Sequence, residues 1–238
     1  MTRSLATNLA MVRRVAERLG DLRDQVVFLG GAATALLITD SAVPDVRATI
    51  DVDLIVEMAS RGDYYRFAEA LRSHGFTEHL GEDAPVCRWR IEGVTVDVMP
   101  TCAEILGFSN RWYSRAMQTA TAMRIDDSLT IRVVTAPYFI ATKLDAFWSR
   151  GKGDFMASHD LEDIIALLDG RQEIIEEVPL ADAEVRHFLS ETFEKFLSDN
   201  RFLDALPGHL LLDQASQQRI AVLKERMRKI AASKGGDR

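Results

Sequence analysis

The sequence predicts an α/β fold: a mixed β-sheet with flanking helices, followed by a mostly helical C-terminal region. Three observations carry this expectation. A β–α–β–hairpin order runs from Gln25 to about Pro100, which implies a mixed sheet with helices packed on it. A second pair of β-rich runs follows near residues 122–134. Beyond it, apolar residues recur at helical spacing nearly to the end. The shift in pattern divides the chain into a core, residues 1–125, and a mainly helical region, residues 126–238, expected to contribute to the active-site cleft.

Ser4 to Leu19 carries Leu5, Leu9, Val12, Ala16 and Leu19 on one helical stripe, with Gly20 as its stop. "QVVFL" (25–29) is a short buried strand, Gly30-Gly31 a turn, and "AATALLIT" the helix it opens. "SAVPDVRAT" reads as a loop punctuated by Pro44. "IDVDLIVE" alternates as a strand, and "DYYRFAEALRSHG" is an amphipathic helix closed by Gly75. "CRWRI" and "VTVDVM" flank Glu92-Gly93, the signature of a two-residue hairpin. Thr101 and Glu104 have capping-box spacing for a following helix. "AMRI" and "LTIRVV" form a second hairpin, and helices are expected over 137–150, 158–169, 181–197 and 214–232. "SKGGDR" reads as a frayed tail.

With 238 residues, 47% of them hydrophobic, the chain can build one large core or two smaller ones. Its net charge of -7 excludes a generally basic nucleic-acid binder, so any nucleic acid would need a local patch. Two cysteines, Cys87 and Cys102, make no disulfide framework and have no zinc-ligand spacing; reduced thiols in a cytoplasmic protein are expected. The N-terminal stretch lacks the long apolar core of a secretory signal, and no apolar run reaches membrane-spanning length.

Chemistry concentrates in "FLGGAATALLITDSAVPDVRATIDVDLIVE". Alternation along a strand puts Asp51 and Asp53 on one face and Val52 and Leu54 on the other. The same rule places Asp97 opposite in sense to Val96 and Val98, so adjacent strands would gather three carboxylates. Two such charges ~4 Å apart repel by about 4 kcal/mol at an effective dielectric of about 20. A divalent cation or a bound proton relieves this, and few hard oxygen ligands suit Mg²⁺, which also recruits phosphates. Gly30 and Gly31 expose bare backbone N–H groups at a helix N-terminus, a ready phosphate cradle, and Thr34 adds a hydroxyl in the first turn. Read singly, Gly-Gly is also an ordinary tight turn, D-x-D a solvated strand face, and Asp97 an edge-strand charge that discourages sheet pairing.

"FLGGAATALL", "DVD" and "VTVDVM" together resemble the nucleotidyltransferases of the DNA polymerase beta superfamily. "YFIATKLDAFWSRGKGDFMASHDLEDIIALL" resembles the AbiEii-type, toxin-like branch, with Lys143 on a helix, then Arg150, then His159 before Asp160 and Asp163. The resemblance covers about residues 25–170. Two departures stand out: residues 32 through 50 make a longer spacer than the family usually has, and His159 stands where Lys or Arg is usual. The resemblance implies a nucleotidyltransferase-type fold. It implies that Asp51, Asp53 and Asp97 hold two Mg²⁺ ions, that Gly30 and Gly31 cradle the NTP phosphates, that Lys143 neutralises triphosphate charge and that Asp160 orients it. Without it, Lys143 is also a snorkelling lysine, and Asp160 and Asp163 are helix-start charges behind Ser158.

The implied activity moves an NMP from an NTP to an acceptor hydroxyl and releases pyrophosphate. The acceptor is RNA, such as a tRNA end, with an antitoxin protein as partner. The alternatives are transfer to a small hydroxylated molecule such as an antibiotic, and a catalytically inactive nucleotide-binding partner protein. Arg88 and Arg90 share a strand face, and Arg219, Lys224, Arg226, Arg228 and Lys229 make the last helix basic; these would grip phosphates or form a solvated face. "GKGD" (151–154) lacks the rest of a P-loop and reads as a connector. His74, His79, His187 and His209 are expected at the surface, and Trp89, Trp112 and Trp148 in cores.

Overall fold

A computed structural model describes residues 3–40, 46–79, 81, 85–151 and 153–234. Pro44 and its neighbours 41–45, Lys152 of the "GKGD" connector and residues 235–238 of the expected tail lie outside the described residues. The chain separates into two compact units: Met1–Leu36 with Arg47–Thr135, and Leu37–Val46 with Ala136–Arg238. The second hairpin belongs to the first unit, and the division in the chain falls at 135/136.

The first unit runs α1 (Arg3–Leu19), β1 (Val26–Leu29), α2 (Gly30–Leu37), β2 (Asp51–Val56), α3 (Arg61–Ser73), β3 (Thr77–Glu78), β4 (Arg88–Ile91), β5 (Val94–Pro100), α4 (Ala103–Leu106), α5 (Tyr113–Gln118), β6 (Thr121–Arg124) and β7 (Thr130–Val133). Its strands form one mixed sheet ordered β3-β4-β5-β2-β1-β7-β6. The two hairpins are antiparallel, as is β1 with β2, whereas β2–β5 and β1–β7 are parallel. β1 is buried throughout because a central strand covered on both faces must be apolar at every position. Val12, Val15, Ala16 and Leu19 of α1 are fully buried, and this stripe packs on β2 and β5.

Glu92 (φ 47) and Gly93 (φ 79) both take the left-handed conformation, the geometry of a two-residue turn whose twist matches the flanking strands. The expected capping box at Thr101 and Glu104 does not form. The N-cap of α4 is Cys102, with no side-chain bond, because Thr101 still donates its N–H to Val56 O as an extension of the sheet. Since β5 lies between β4 and β2, Asp97 is on an interior strand, which removes the edge-charge reading.

The second unit contains α6 (Ala136–Ser149), α7 (His159–Gly170), α8 (Ile174–Leu180), α9 (Ala183–Ser198), α10 (Asn200–Ala205) and α11 (Gln214–Ala231). Ser158 caps α7 by accepting from Leu161 N–H, and Asp213 caps α11 by accepting from Ser216 N–H. Its core is aromatic: Phe196 stacks on Phe202 at 4.7 Å and meets Phe155 edge-on at 5.4 Å. Helices α8 and α10 were not expected. They are too short for propensity to sustain, and burial of Ile174, Val178, Phe202 and Ala205 holds them. Trp89 and Trp112 are core residues as expected, but Trp148 is 49% exposed.

Candidate active site

The parallel pairing of β2 and β5 sets Asp53 directly opposite Asp97 and Asp51 opposite Thr95. Because alternate residues share a face, all three carboxylates stand on one side of the sheet. The antiparallel pairing of β1 with β2 sets Leu29, the residue before the diglycine, opposite Asp53. Asn8 fixes the approach to β2: its side chain, wholly buried, donates to Arg47 O at 3.0 Å and accepts from Thr49 N–H at 3.2 Å. Thr49 Oγ1 then donates to Asp51 Oδ1 at 2.6 Å.

Gly30 has φ +73, and a β-carbon there would lie 1.8 Å from Asp53 Oδ2. At Gly31 a β-carbon would lie 2.9 Å from Arg47 Nη2. The bare backbone therefore lets the Asp53 carboxylate and the Arg47 guanidinium close against the start of α2, and Gly30 is required by that packing whatever else it binds. Thr34 is 1% exposed, and its Oγ1 has no hydrogen-bond partner among the described residues. The hydroxyl that the sequence reading aims at a phosphate is thus an interior one.

A cation already sits among the carboxylates. Arg88 donates from Nε to Asp97 Oδ1 and from Nη2 to Asp97 Oδ2, each at 2.8 Å, the two-pronged geometry of a strong ion pair. The same Nη2 lies 4.0 Å from Asp51 Oδ2. The Asp97 hydrogen bonds raise the Arg88 guanidinium further above its already high range. Neighbouring Cys87 is pushed up to about 12, first by burial and then by the charge of Asp97. It stays a thiol at neutral pH and is no nucleophile.

Among the described residues, no three His, Cys, Asp or Glu side chains stand close enough to hold a metal ion as arranged. Asp51, Asp53 and Asp97 are hard oxygen donors on one face of adjacent strands, but as arranged they do not gather on one point, and Arg88 engages both oxygens of Asp97.

Arg88 is the residue whose role the sequence reading missed. The signal was present: the two-residue turn pairs Ile91 with Val94, and counting outward brings Arg88 opposite Asp97.

In the second unit, Lys143 is 8% exposed and donates to Asp160 Oδ1 at 3.0 Å and Asp163 Oδ2 at 2.7 Å. Arg150 adds Nη2 to Asp160 Oδ1 at 3.0 Å. Burial pushes the Asp160 carboxyl up, but Lys143 and Arg150 outweigh it and hold the group below its usual range. The structure thus brings Lys143, Asp160 and Asp163 together as a buried charge cluster with the exposed Arg150 against its edge, not as a snorkelling lysine and separate helix-start charges. His159 stands apart from this cluster, exposed, with Nδ1 3.2 Å from Glu162 Oε2.

No protein-family model matches the chain, and no curated protein matches it. Among solved structures it is similar to an antigenic nucleotidyltransferase-like protein from Paracoccidioides brasiliensis, at 20% sequence identity over 91% of this chain and 92% of that chain, with a TM-score of 0.48.

The basic C-terminal helix is less available to a polyanion than its sequence suggests. Arg219 Nε donates to both oxygens of Asp169 at 2.7 and 2.8 Å, and Arg226 Nη1 donates to the carbonyls of Leu168 and Asp169 at 2.5 and 2.6 Å. Both arginines satisfy the C-terminal end of α7. His79 is not a plain surface histidine either: it is half-buried, and its Nδ1 is buried without a partner among the described residues. No helix among the described residues is long and apolar enough to cross a membrane.

Proposed function

We propose that this protein is a Mg²⁺-dependent nucleotidyltransferase that moves an NMP from an NTP to an acceptor hydroxyl and releases pyrophosphate. The observation that carries the reading is the in-register pair Asp53 and Asp97, with Asp51 on the same face, beside the diglycine start of α2. Asp51, Asp53 and Asp97 would hold the Mg²⁺ ions. When bound, Mg²⁺ neutralises triphosphate charge and stabilises the charge that develops during in-line displacement. Asp97, freed from Arg88, accepts the proton of the attacking hydroxyl. The N–H groups at the start of α2, against which the Asp53 carboxylate is packed, would hold phosphate oxygens. Lys143, which the resemblance assigns to triphosphate charge, is held and oriented within its own unit by Asp160 and Asp163.

On the resemblance to toxin-like enzymes, the acceptor is RNA such as a tRNA end, and an antitoxin is the expected protein partner. A second reading, a small hydroxylated acceptor, has one observation in its favour. A cavity of about 640 Å³ in the first unit is lined by Tyr64, Tyr65, His79, Glu104 and Arg88, the last being the residue on Asp97. The test is transfer of label from α-labelled NTPs to cellular RNA or to small hydroxylated acceptors, with Mg²⁺ or EDTA, in wild type and Asp53→Ala. Transfer that depends on Mg²⁺ and is lost in Asp53→Ala is expected. Transfer surviving that substitution, or none to any acceptor while NTP still binds, refutes the catalytic reading. Steep salt dependence marks RNA as the acceptor.

A further inference from the structure

The cavity in the first unit carries chemistry that the strand carboxylates do not explain. It measures about 640 Å³, within the range of roughly 300–1,000 Å³ typical of small-ligand sites. Two successive tyrosines of α3 stand in its wall. Tyr65 is 66% exposed, a large aromatic surface left in water, and half-buried Tyr64 supports it edge-on with ring centroids 6.3 Å apart. Arg61, also in the wall, is the first residue of α3 behind its Ser60 cap. Among the described residues its guanidinium bonds only to a carbonyl, Nη2 to Glu104 O at 3.4 Å. Arg66 and Arg72 of the same helix are instead paired with acids, Arg66 with Asp63 and Arg72 with Glu69 and Glu78. A cation at a helix start is opposed by the helix dipole, and Asp63, the acid of that first turn, is engaged by Ser60 and Arg66. An anion in the cavity would satisfy the guanidinium and the helix start together.

We propose that this cavity binds a nucleoside monophosphate, free or as the end residue of an RNA, with its base on Tyr65 and its phosphate on Arg61. Arg61 and Tyr65 are four positions apart on α3, hence neighbours on one helix face with Cβ atoms about 5–6 Å apart. That is the reach of a sugar joining a planar base to a phosphate, and exposed Glu104 in the same wall accepts from sugar hydroxyls. Glu78, the wall's other acid among the described residues, is neutralised by Arg72 and does not repel the phosphate. The lining contains none of Gly30, Gly31, Asp51 and Asp53, so the site is separate from the one proposed for the NTP. Arg88 both lines the cavity and holds Asp97, which sets the bound nucleoside within one side chain of the carboxylate assigned to take the acceptor's proton. The inference deepens the nucleotidyl-transfer reading by naming the acceptor class. It rests on that reading for the acceptor role alone; binding itself requires no metal.

The test is titration calorimetry of the full chain in EDTA with AMP, GMP, CMP and UMP in turn, with the matching nucleosides and with ribose 5-phosphate. Tyr65→Ala is expected to weaken the best monophosphate and its nucleoside at least about tenfold, a change of about 1.4 kcal/mol, and ribose 5-phosphate less than about threefold. Arg61→Gln is expected to weaken the monophosphate at least about tenfold and the nucleoside less than about threefold. Tyr65→Phe, which keeps the ring, is expected to bind like wild type. Arg66→Gln, which removes a charge of α3 already paired with Asp63, is expected to change Kd less than about threefold. Arg61 and Tyr65 are both exposed, so neither substitution opens the core. A 5′-phosphorylated dinucleotide that binds at least as tightly as the monophosphate assigns the ligand to an RNA end, and one that binds more weakly assigns it to a free nucleotide; both uphold the site. No binding of any monophosphate at millimolar concentration, or a Kd unchanged by both Tyr65→Ala and Arg61→Gln, overturns the inference and leaves NTP transfer to other acceptors standing. An Arg66→Gln effect as large as that of Arg61→Gln also overturns it, since the cause would then be general charge. The expected binding pattern with no labelled transfer upholds the site and refutes the transfer reading instead.

Discussion

Replacing Gly30 with alanine tests the geometry on which the site depends. Two costs can be assigned from the structure. The backbone φ of +73 lies in the left-handed region, where a non-glycine residue costs roughly 1–2 kcal/mol. The new β-carbon would lie 1.8 Å from Asp53 Oδ2, 2.5 Å from its Cγ and 2.7 Å from its Cβ. The carboxylate can rotate away, but Cβ is carried by the strand backbone, so the strand or the turn must shift, at about 1–3 kcal/mol. Gly30→Ala is therefore expected to destabilise the first unit by about 2–5 kcal/mol. Urea unfolding followed by Trp89 and Trp112 fluorescence reports this unit, since both indoles are buried within it. A double-mutant cycle isolates the clash: in an Asp53→Ala background the two shortest contacts vanish while the φ cost and the 2.7 Å contact remain. The penalty of Gly30→Ala should then fall by about 1–2 kcal/mol. A penalty below about 1 kcal/mol, or one unchanged by Asp53→Ala, refutes the packing of Asp53 against Gly30.

Three further outcomes are expected. Lys143→Met leaves the buried carboxylates of Asp160 and Asp163 without their shared ammonium, at about 3–5 kcal/mol by urea unfolding, and adding Asp163→Asn should recover part of the loss. Asp160 has a folded-state pKa below its unfolded value, so its contribution is present above the usual carboxylate value near about 4 and is lost as pH falls through the folded pKa; the acid limb of stability against pH should flatten in Asp160→Asn. Arg219→Ala strips the buried Asp169 of its guanidinium, at about 2–3 kcal/mol, whereas Arg228→Ala loses only an exposed pair with Glu225 and should stay within about 0.5 kcal/mol. Equal effects on thermal unfolding for the two arginines would contradict their assigned roles on α11.

Local rules carried the reading a long way. Strand alternation alone puts Asp51 and Asp53 on one face, the Glu92-Gly93 turn sets a hairpin register that pairs Arg88 with Asp97, and Ser158 marks the start of α7. These features depend on residues a few positions apart, where backbone period and turn geometry leave few choices. Apart from Arg88 with Asp97, which the turn brings together, tertiary structure decided which charges are spent on one another. Asp53 comes to lie against Gly30 because β1 and β2 are neighbours; Asp97 stands opposite Asp53 because β5 inserts beside β2; Arg219 is consumed by Asp169, fifty positions earlier in the chain. Lys143 and its two aspartates, readable as surface charges, are interior because α6 packs on α7. Ion pairing follows distance in space, and no sequence period encodes that distance; a carboxylate's chemistry is set by the partner that folding places across from it.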